Sequence, residues 1–172
     1  MNWTALNTEE YNPFYANYVK LVPSHSGLIE ALEEGEGKTI SFFKAIPEDK
    51  LKYAYAEGKW TILEILQHII DTERIFCYRA LCIARKDKNS FPGFEQDDYV
   101  KPSMANERSL ESLLEEYKIV RKSTILLFKS FDKEALIEIG NASKSALSAR
   151  AAGFIISGHE IHHANIIKER YF

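Results

Sequence analysis

The chain has 172 residues, of which 45% are hydrophobic and 27% charged, and 22 Lys and Arg against 25 Asp and Glu give a net charge of −3. This length and composition fit one globular domain, so we predict a single domain over residues 1–172. Without a basic cluster, an electrostatic nucleic-acid footprint is excluded. Without a signal-peptide start or an apolar run of about 18 residues, we expect a cytoplasmic protein with no membrane partner.

An arm and a first helix open the chain. Residues 1–23 are rich in aromatic side chains and contain Pro13 and Pro23, which predicts an irregular N-terminal arm packed on the body of the protein. Apolar residues at helical spacing then predict a first helix from residue 24 or 26 to residue 46. Pro47 ends that helix because a proline cannot continue it.

The second helix begins at a capping-box pattern and leads into a long loop. Thr61 is placed to accept from the third backbone N–H of the helix, and Glu64 is placed to reach back to the start. The helical pattern continues to about residue 85. Residues 86–102 follow as a loop with three acidic residues, Glu95, Asp97 and Asp98. Loops of this length in compact domains often have a function.

Two more helices complete the predicted fold. The third runs from residue 105 or 109 to 130, and after a short turn at 133–139 the last helix follows Ser145 and continues to about residue 170. No segment shows the alternation of a strand. We therefore predict an all-α four-helix bundle with one or more crossover connections. Cys77 and Cys82, five apart on one helix, are predicted to be reduced and packed.

Three of the five histidines lie within residues 158–163 of the last helix. His159 and His163 are four apart, so at about 100° per residue they project from one face. Two imidazoles at this spacing can hold one metal ion, but a site needs a further ligand from elsewhere in the fold. His68 on the second helix is the candidate. His162 lies at the edge of the face, so we predict a site of His68, His159 and His163.

The helix face around His68 is unusually polar for a bundle core, which predicts a pocket between helices. Residues within about 60° of His68 are Thr61, Glu64, Asp71, Thr72, Ile75 and Arg79. Asp71 is a candidate to accept the free N–H of a metal-bound imidazole. Glu160 is a candidate surface residue, partner of a ligand or proton shuttle. With its flanking histidines it also fits the zinc-protease pattern, but no other protease element accompanies it.

Several motifs together resemble the DinB-like superfamily of bacterial metal-binding four-helix bundles. They are Gly58-Lys59-Trp60, Ile65-Leu66-Gln67-His68-Ile69-Ile70-Asp71, Glu73-Arg74-Ile75-Phe76, Pro92-Gly93-Phe94 with Asp97 and Asp98, and Gly158-His159-Glu160-Ile161-His162-His163. The resemblance covers most of residues 20–170 and implies His68, His159 and His163 as ligands. It also implies Zn or Ni as the metal and a homodimer. For some members it implies transfer of low-molecular-weight thiols or isomerisation of thiol adducts.

Three functions are open on the sequence alone. The first is a metal-dependent transferase acting on a small thiol and an electrophile, with Arg79 or Arg170 holding a substrate carboxylate. The second is a metal-dependent hydrolase in which Glu160 or Asp71 is the base. The third is a non-catalytic, stress-related metal-binding module.

Overall fold

Four long helices form the body of the protein in the computed structural model, which describes residues 1–172. They are α2 (Leu28–Lys44), α3 (Ile62–Ala84), α5 (Leu110–Lys129) and α7 (Ala149–Arg170), and the short helices are α1 (Ala16–Val19), α4 (Gln96–Val100) and α6 (Lys133–Ile137). The predicted four-helix bundle is confirmed. None of the helices is long and apolar enough to cross a membrane.

Side-chain caps fix where three of the long helices begin. Thr61 Oγ1 accepts from the Glu64 backbone N–H, and Glu64 Oε2 accepts from the Thr61 backbone N–H, as the capping-box pattern predicts. Ser109 caps α5, and Ser148 caps α7, by accepting from a backbone N–H of the first turn. Because Ser148 is the cap, α7 begins later than the predicted start after Ser145.

A small three-stranded sheet lies beside the bundle, and the sequence pattern does not predict it. Strand β1 (Ser90–Phe91) pairs in parallel with β2 (Ile139–Ala142), which pairs antiparallel with β3 (Ser145–Ser148). Ser143 and Lys144 turn the hairpin with φ of 53° and 62°. Two-residue turns with positive φ usually contain Asn or Gly, so a Ser-Lys pair carries no hairpin signal.

Each long helix packs mainly on two others, in the cyclic order α2, α7, α3, α5. Helices α2 and α3 are therefore diagonal, although they are consecutive long helices in the chain, and so are α5 and α7. Both connections cross the end of the bundle, which confirms the predicted crossover. The arrangement places α7 against α3 along its length, and these are the two helices that carry the predicted ligands.

The bundle core consists of two apolar clusters with a polar layer between them. The larger cluster has 22 buried residues and ends on α7 at Ile156, and the smaller has 16 and resumes on α7 at Ile167. Buried polar side chains fill the space between, among them Glu73 of α3, Arg121 of α5 and Glu160 of α7. Buried polar groups require partners, so this layer is where specific chemistry is expected.

The N-terminal arm packs on the body, as predicted. The Trp3 indole N–H donates to the Val22 carbonyl at 2.7 Å, and this bond joins the two ends of the arm. Glu10 is buried, accepts from Ser148 Oγ at 2.7 Å and forms an ion pair with Arg150. The arm is therefore anchored to the first turn of α7.

This anchor predicts an acid-sensitive contribution to stability. Burial alone would raise the pKa of Glu10, but hydrogen bonds from Arg150, the Asn7 backbone and Ser148 lower it below its usual value. Because the pKa is lower in the folded state, the stabilisation is present at neutral pH and is lost as the pH falls below about 4. We expect Glu10→Gln to lower Tm at neutral pH and to match the unsubstituted protein in acid.

The control is Glu9→Gln, since the neighbouring Glu9 is exposed. It is expected to leave Tm unchanged at both pH values. A Tm difference for Glu10→Gln that is the same in acid and at neutral pH would show that the ion pair does not stabilise the arm.

Candidate metal centre

Three imidazole rings meet in the polar layer, between α3 and α7. The Nε2 atoms of His68 and His163 each lie 3.0 Å from His159 Nε2. One ligand atom from each ring lies within 4.8 Å of the others. His68 and His159 are buried, and His163 is half-buried. The structure thus brings together the three predicted histidines, and His162 stays outside the cluster.

Two of the three nitrogen separations, 3.0 Å each, fit ligands of one cation. The third pair, His68 and His163, lies within 4.8 Å and has to close to the same range when an ion binds. A neutral ring nitrogen has either one proton or one lone pair, so His159 Nε2 cannot form a full hydrogen bond with both neighbours. Three lone pairs directed at one ion remove that conflict. Imidazole nitrogens about 2.0–2.1 Å from a metal lie roughly 3.0–3.4 Å from one another. The donor set therefore fits a divalent metal ion.

The protein environment keeps these rings neutral. Burial lowers the pKa of His68 to about 4, with Asp97 opposing that shift and His162 adding to it. Burial also holds the pKa of His159 and His163 well below the usual value, and the neighbouring histidines lower both further. Metals bind the deprotonated imidazole, so at neutral pH the lone pairs are available without displacing protons.

Aromatic side chains hold the rings in place. The Trp60 ring centroid lies 4.7 Å from that of His68 and stacks on His163 at 6.5 Å. The Tyr18 ring lies edge-on to His159 at 5.5 Å. Thr72 Oγ1 lies 3.5 Å from His68 Nδ1, on the side of the ring away from the cluster. These contacts restrict ring rotation, so the three nitrogens are oriented before a ligand arrives.

Two cavities of different character reach the histidine cluster. A polar cavity of about 370 Å³ is lined by His163 together with Lys59, Asp97 and Arg170. An aromatic cavity of about 220 Å³ is lined by His68 and His159. Its other walls include five aromatic rings, those of Phe14, Tyr15, Tyr18, Phe76 and Phe94. Gln96, the first residue of α4, lines both cavities.

Asp71 does not contact a ligand histidine, contrary to the prediction. Its carboxylate accepts from Gln67 Nε2 at 2.9 Å and lies 3.8 Å from Arg74. The residue beside the His68 ring is Thr72, four positions along the helix. At about 100° per residue, Thr72 is rotated by about 40° from His68 in one direction and Asp71 by about 60° in the other, so the two side chains lie on opposite sides of His68.

Glu160 is not at the metal centre either, and it is neither a surface residue nor in position for proton transfer there. It is buried and accepts from Arg121 through both carboxylate oxygens, at 2.9 and 3.0 Å. Tyr117 OH donates to it at 2.6 Å and Thr39 Oγ1 at 3.1 Å. Since Glu160 follows His159 directly, it projects about 100° away from the histidine face. Its role is to join α7 to α2 and α5.

The family comparison covers most of the chain and includes all three histidines. Residues 31–167 match the family model of the DinB superfamily. The chain belongs to the DinB superfamily. The solved structure of YfiT from Bacillus subtilis, described as a probable metal-dependent hydrolase with an unusual four-helix bundle topology, is similar in fold. The TM-score is 0.75 at 15% identity, covering 93% of this chain and 91% of YfiT. No curated protein matches this chain closely.

Two other predicted pocket residues of this DinB superfamily protein have structural roles. Glu64 closes the capping box of α3. Arg79 is buried and donates to the Pro92 carbonyl at 2.6 Å and to Ser143 Oγ at 3.3 Å. It therefore ties α3 to the loop and the hairpin and is not free for a substrate. Arg170, the alternative for a substrate carboxylate, lines the polar cavity.

Two residues near the cluster escape prediction for different reasons. The Asp97 carboxylate raises the pKa of His68. Asp97 belongs to the acidic loop, and only the folding of that loop brings its carboxylate toward the histidines. Tyr18 reaches His159 from the arm, and nothing in the local sequence specifies that contact. Both depend on long-range packing of the DinB superfamily fold.

Gly158 is expected to be required for stability, because the N-terminal arm crosses α7 at this residue. A Cβ at this position would overlap the backbone carbonyl of Tyr18, which cannot move as a flexible side chain does. We expect Gly158→Ala to destabilise the protein by about 1–3 kcal/mol through overpacking and to displace Tyr18 from His159. Denaturant unfolding measures the change.

Gly37→Ala is the matched control, because Gly37 lies in α2 and a Cβ there meets nothing within 4 Å. This substitution is expected to stabilise the protein by about 0.5–1 kcal/mol through helix propensity. Equal effects of the two substitutions would contradict the packing of the arm against α7.

Proposed function

We propose that this protein is a metal-dependent S-transferase that joins a low-molecular-weight thiol to a small electrophile. The observation that supports this most directly is the position of the three imidazoles, which line a polar cavity on one side and an aromatic cavity on the other. Two substrates of different polarity can then approach one point from separate directions. Holding two reactants in this way accelerates their reaction by proximity alone.

The proposed ligands are His68, His159 and His163, and the proposed metal is Zn or Ni. A bound ion of this kind lowers the pKa of a thiol and maintains the thiolate near neutral pH. The chain supplies three neutral imidazoles, restricts their rotation through Trp60 and Tyr18, and leaves access from both cavities. A structural site with a closed set of four protein ligands has no such access.

The proposed reaction forms a bond between the thiol sulfur and an electrophilic carbon, and it breaks the bond between that carbon and its leaving group. The thiol releases its proton to solvent, and its sulfur donates an electron pair to the electrophilic carbon. The bond from that carbon to the leaving group breaks, and the leaving group departs with that electron pair. The substrate thiol is an external one, because neither Cys77 nor Cys82 lines a cavity at the histidine cluster. Burial also raises the pKa of Cys77 to about 11, and its thiol donates to Thr124 Oγ1 at 3.1 Å.

Hydrolysis is the second candidate function, and one observation favours it. Asp97 lines the polar cavity and acts on the pKa of His68, so one carboxylate does lie near the centre. The two bases predicted for hydrolysis, Asp71 and Glu160, bond to other side chains. A hydrolase would therefore depend on Asp97 as the base that takes a proton from water.

Asp97→Asn separates the two functions. A hydrolase that uses this carboxylate as general base is expected to lose about 10²–10⁴-fold in rate. A thiol transferase needs no carboxylate base, so we expect no comparable loss of its rate. Initial rates with a thiol plus an aryl halide, and with an activated ester, measure both activities. Asp98→Asn is the control, because Asp98 is the next residue of the same helix and is exposed like Asp97 but lines neither cavity.

The proposal itself is tested by metal dependence. Thiol consumption in the presence of an aryl halide is measured for Zn-loaded, Ni-loaded and chelator-treated protein. Activity that chelation removes and metal restores supports the transferase. Thiol transfer that is unchanged by chelation would overturn it. Metal-loaded protein without either activity would indicate the non-catalytic metal-binding module. The homodimer that the family resemblance implies stays a prediction.

A further inference from the structure

The two cavities at the histidine cluster differ in the groups that line them, and this difference bears on substrate choice. His163 lines the polar cavity, whereas His68 and His159 line the aromatic one. Each cavity therefore gives access to at least one ring of the cluster. The remaining lining determines which chemical groups are stable in each cavity.

Two cations of the polar cavity have no anionic partner. Neither Lys59 nor Arg170 forms an ion pair, and both side chains are exposed. The contacts of Arg170 are with Tyr55, whose hydroxyl accepts at 3.3 Å and whose ring lies 5.5 Å from the guanidinium carbon. Stacking on Tyr55 orients the guanidinium while leaving most of its N–H groups free.

A carboxylate is the ligand that this arrangement suits. A guanidinium presents paired N–H groups that match the two oxygens of a carboxylate, and a nearby ammonium adds a second charge. Many Lys and Arg side chains of the chain are exposed and unpaired, and what distinguishes these two is that both line the cavity that contains His163. Asp97 is the one acidic residue of the lining, so the two cations outnumber it.

The aromatic cavity suits an apolar group of about one ring. Its rings already contact each other edge to face, with centroids 5.2 Å apart for Phe14 and Tyr15 and 5.6 Å apart for Tyr15 and Phe76. An apolar guest can extend this edge-to-face packing. No Lys or Arg lines the cavity, and Glu95 is the one charged residue in its wall.

We propose that the thiol substrate carries a carboxylate bound by Lys59 and Arg170 in the polar cavity, while the electrophile places an apolar group in the aromatic cavity. This inference rests on the proposed transferase function, and it assigns each substrate to one side of the histidine cluster. Lys59 and Arg170 then determine thiol specificity, and the aromatic rings determine electrophile specificity.

The thiol half of the proposal can be tested by binding, without turnover. The chain has two tryptophans: Trp60 lines the polar cavity, and Trp3 lies in the arm with its indole bonded to Val22. Their indole N–H signals in a ¹H–¹⁵N spectrum are therefore a reporter and an internal reference. The protein is titrated with 3-mercaptopropionate and with 2-mercaptoethanol, which lacks the carboxylate. Zn-loaded and metal-free samples are both measured.

We expect 3-mercaptopropionate to shift the Trp60 signal with a Kd at least about tenfold lower than that of 2-mercaptoethanol, as one charge-assisted contact implies. Arg170→Gln and Lys59→Gln should each remove most of this preference. Lys168→Gln is the matched control, because Lys168 is on the same helix but lies over Phe42, at another cavity. Equal Kd values for the two thiols, or a preference that survives both substitutions, would overturn the carboxylate assignment.

The electrophile half is tested with benzyl alcohol as an apolar probe. Transfer of magnetisation from its ring protons to Tyr18 and Phe94 is expected, and Phe14→Ala should weaken binding. Phe172→Ala is the control, since Phe172 is as exposed as Phe14 but lies outside the cavity, with exposed fractions of 63% and 68%. If benzyl alcohol contacts only Trp60, it binds in the polar cavity, and the assignment of the apolar group to the aromatic cavity is wrong.

Failure of the proposed function is distinguishable from failure of this inference. Metal content is measured on the same samples, so a protein that binds no metal refutes the transferase. Carboxylate selectivity in that metal-free protein would still support the assignment of Lys59 and Arg170 to an anion site. A protein that binds metal but shows no selectivity refutes only the inference.

Discussion

Replacing His68 with alanine is expected to abolish tight metal binding and any metal-dependent activity. His68 is the one member of the cluster that α3 supplies, so the substitution leaves two imidazoles on one turn of α7. Changes to groups that merely support a ligand cost about 10–100-fold in metal affinity, and loss of a ligand is expected to cost more. Competition titration with a chromophoric chelator measures the affinity for Zn and Ni.

His162→Ala provides the control for this prediction. His162 is adjacent to His163 in the sequence, and its ring centroid lies 5.1 Å from that of His163, yet it is not part of the nitrogen cluster. Its removal is expected to change metal affinity by less than the effect of His68→Ala. If the two variants lose affinity equally, the assignment of ligands by nitrogen position is wrong.

Arg121→Met is expected to be the most destabilising substitution in the chain, at about 3–5 kcal/mol, because it leaves two buried carboxylates without their cation. Arg121 is fully buried and donates to Glu73 through Nε and Nη2 at 2.9 and 2.8 Å. It also bonds both oxygens of Glu160 and the Leu32 carbonyl at 3.1 Å. One guanidinium thereby joins α2, α3, α5 and α7.

A combined variant separates the charge effect from lost packing. Glu73→Gln and Glu160→Gln added to Arg121→Met remove the uncompensated charges, so we expect part of the lost stability to return. Lys122→Met is the control, since Lys122 is the exposed neighbour of Arg121. Denaturant unfolding gives the four values. A triple variant no more stable than Arg121→Met would show that packing, and not buried charge, dominates.

Local sequence patterns predict much of this structure. The capping box at Thr61 and Glu64 marks the start of α3 because both bonds form within one turn. The spacing of His159 and His163 predicts their common face for the same reason. Apolar periodicity predicts the four long helices to within a few residues at most ends. In each case the determining contacts lie within a few residues of one another along the chain.

Local sequence patterns do not predict contacts between distant segments of the chain. Glu160 bonds to Arg121 and Tyr117, which are about forty positions away, and no spacing rule indicates that direction. The pairing also depends on Gly35, where a Cβ would overlap the Glu160 carboxylate. Asp71 shows a limit within one helix, because Asp71 and Thr72 lie on the same face as His68 but only Thr72 lies beside its ring.

The central claim is that one divalent metal ion binds to His68, His159 and His163, and elemental analysis of the native protein tests it most directly. The protein is purified without added metal and then again after incubation with Zn or Ni and removal of the excess. We predict close to one equivalent of metal per chain, and far less in His68→Ala treated in parallel. Native protein that contains no metal and takes up neither Zn nor Ni would contradict the claim, and the three histidines would then be packed core residues.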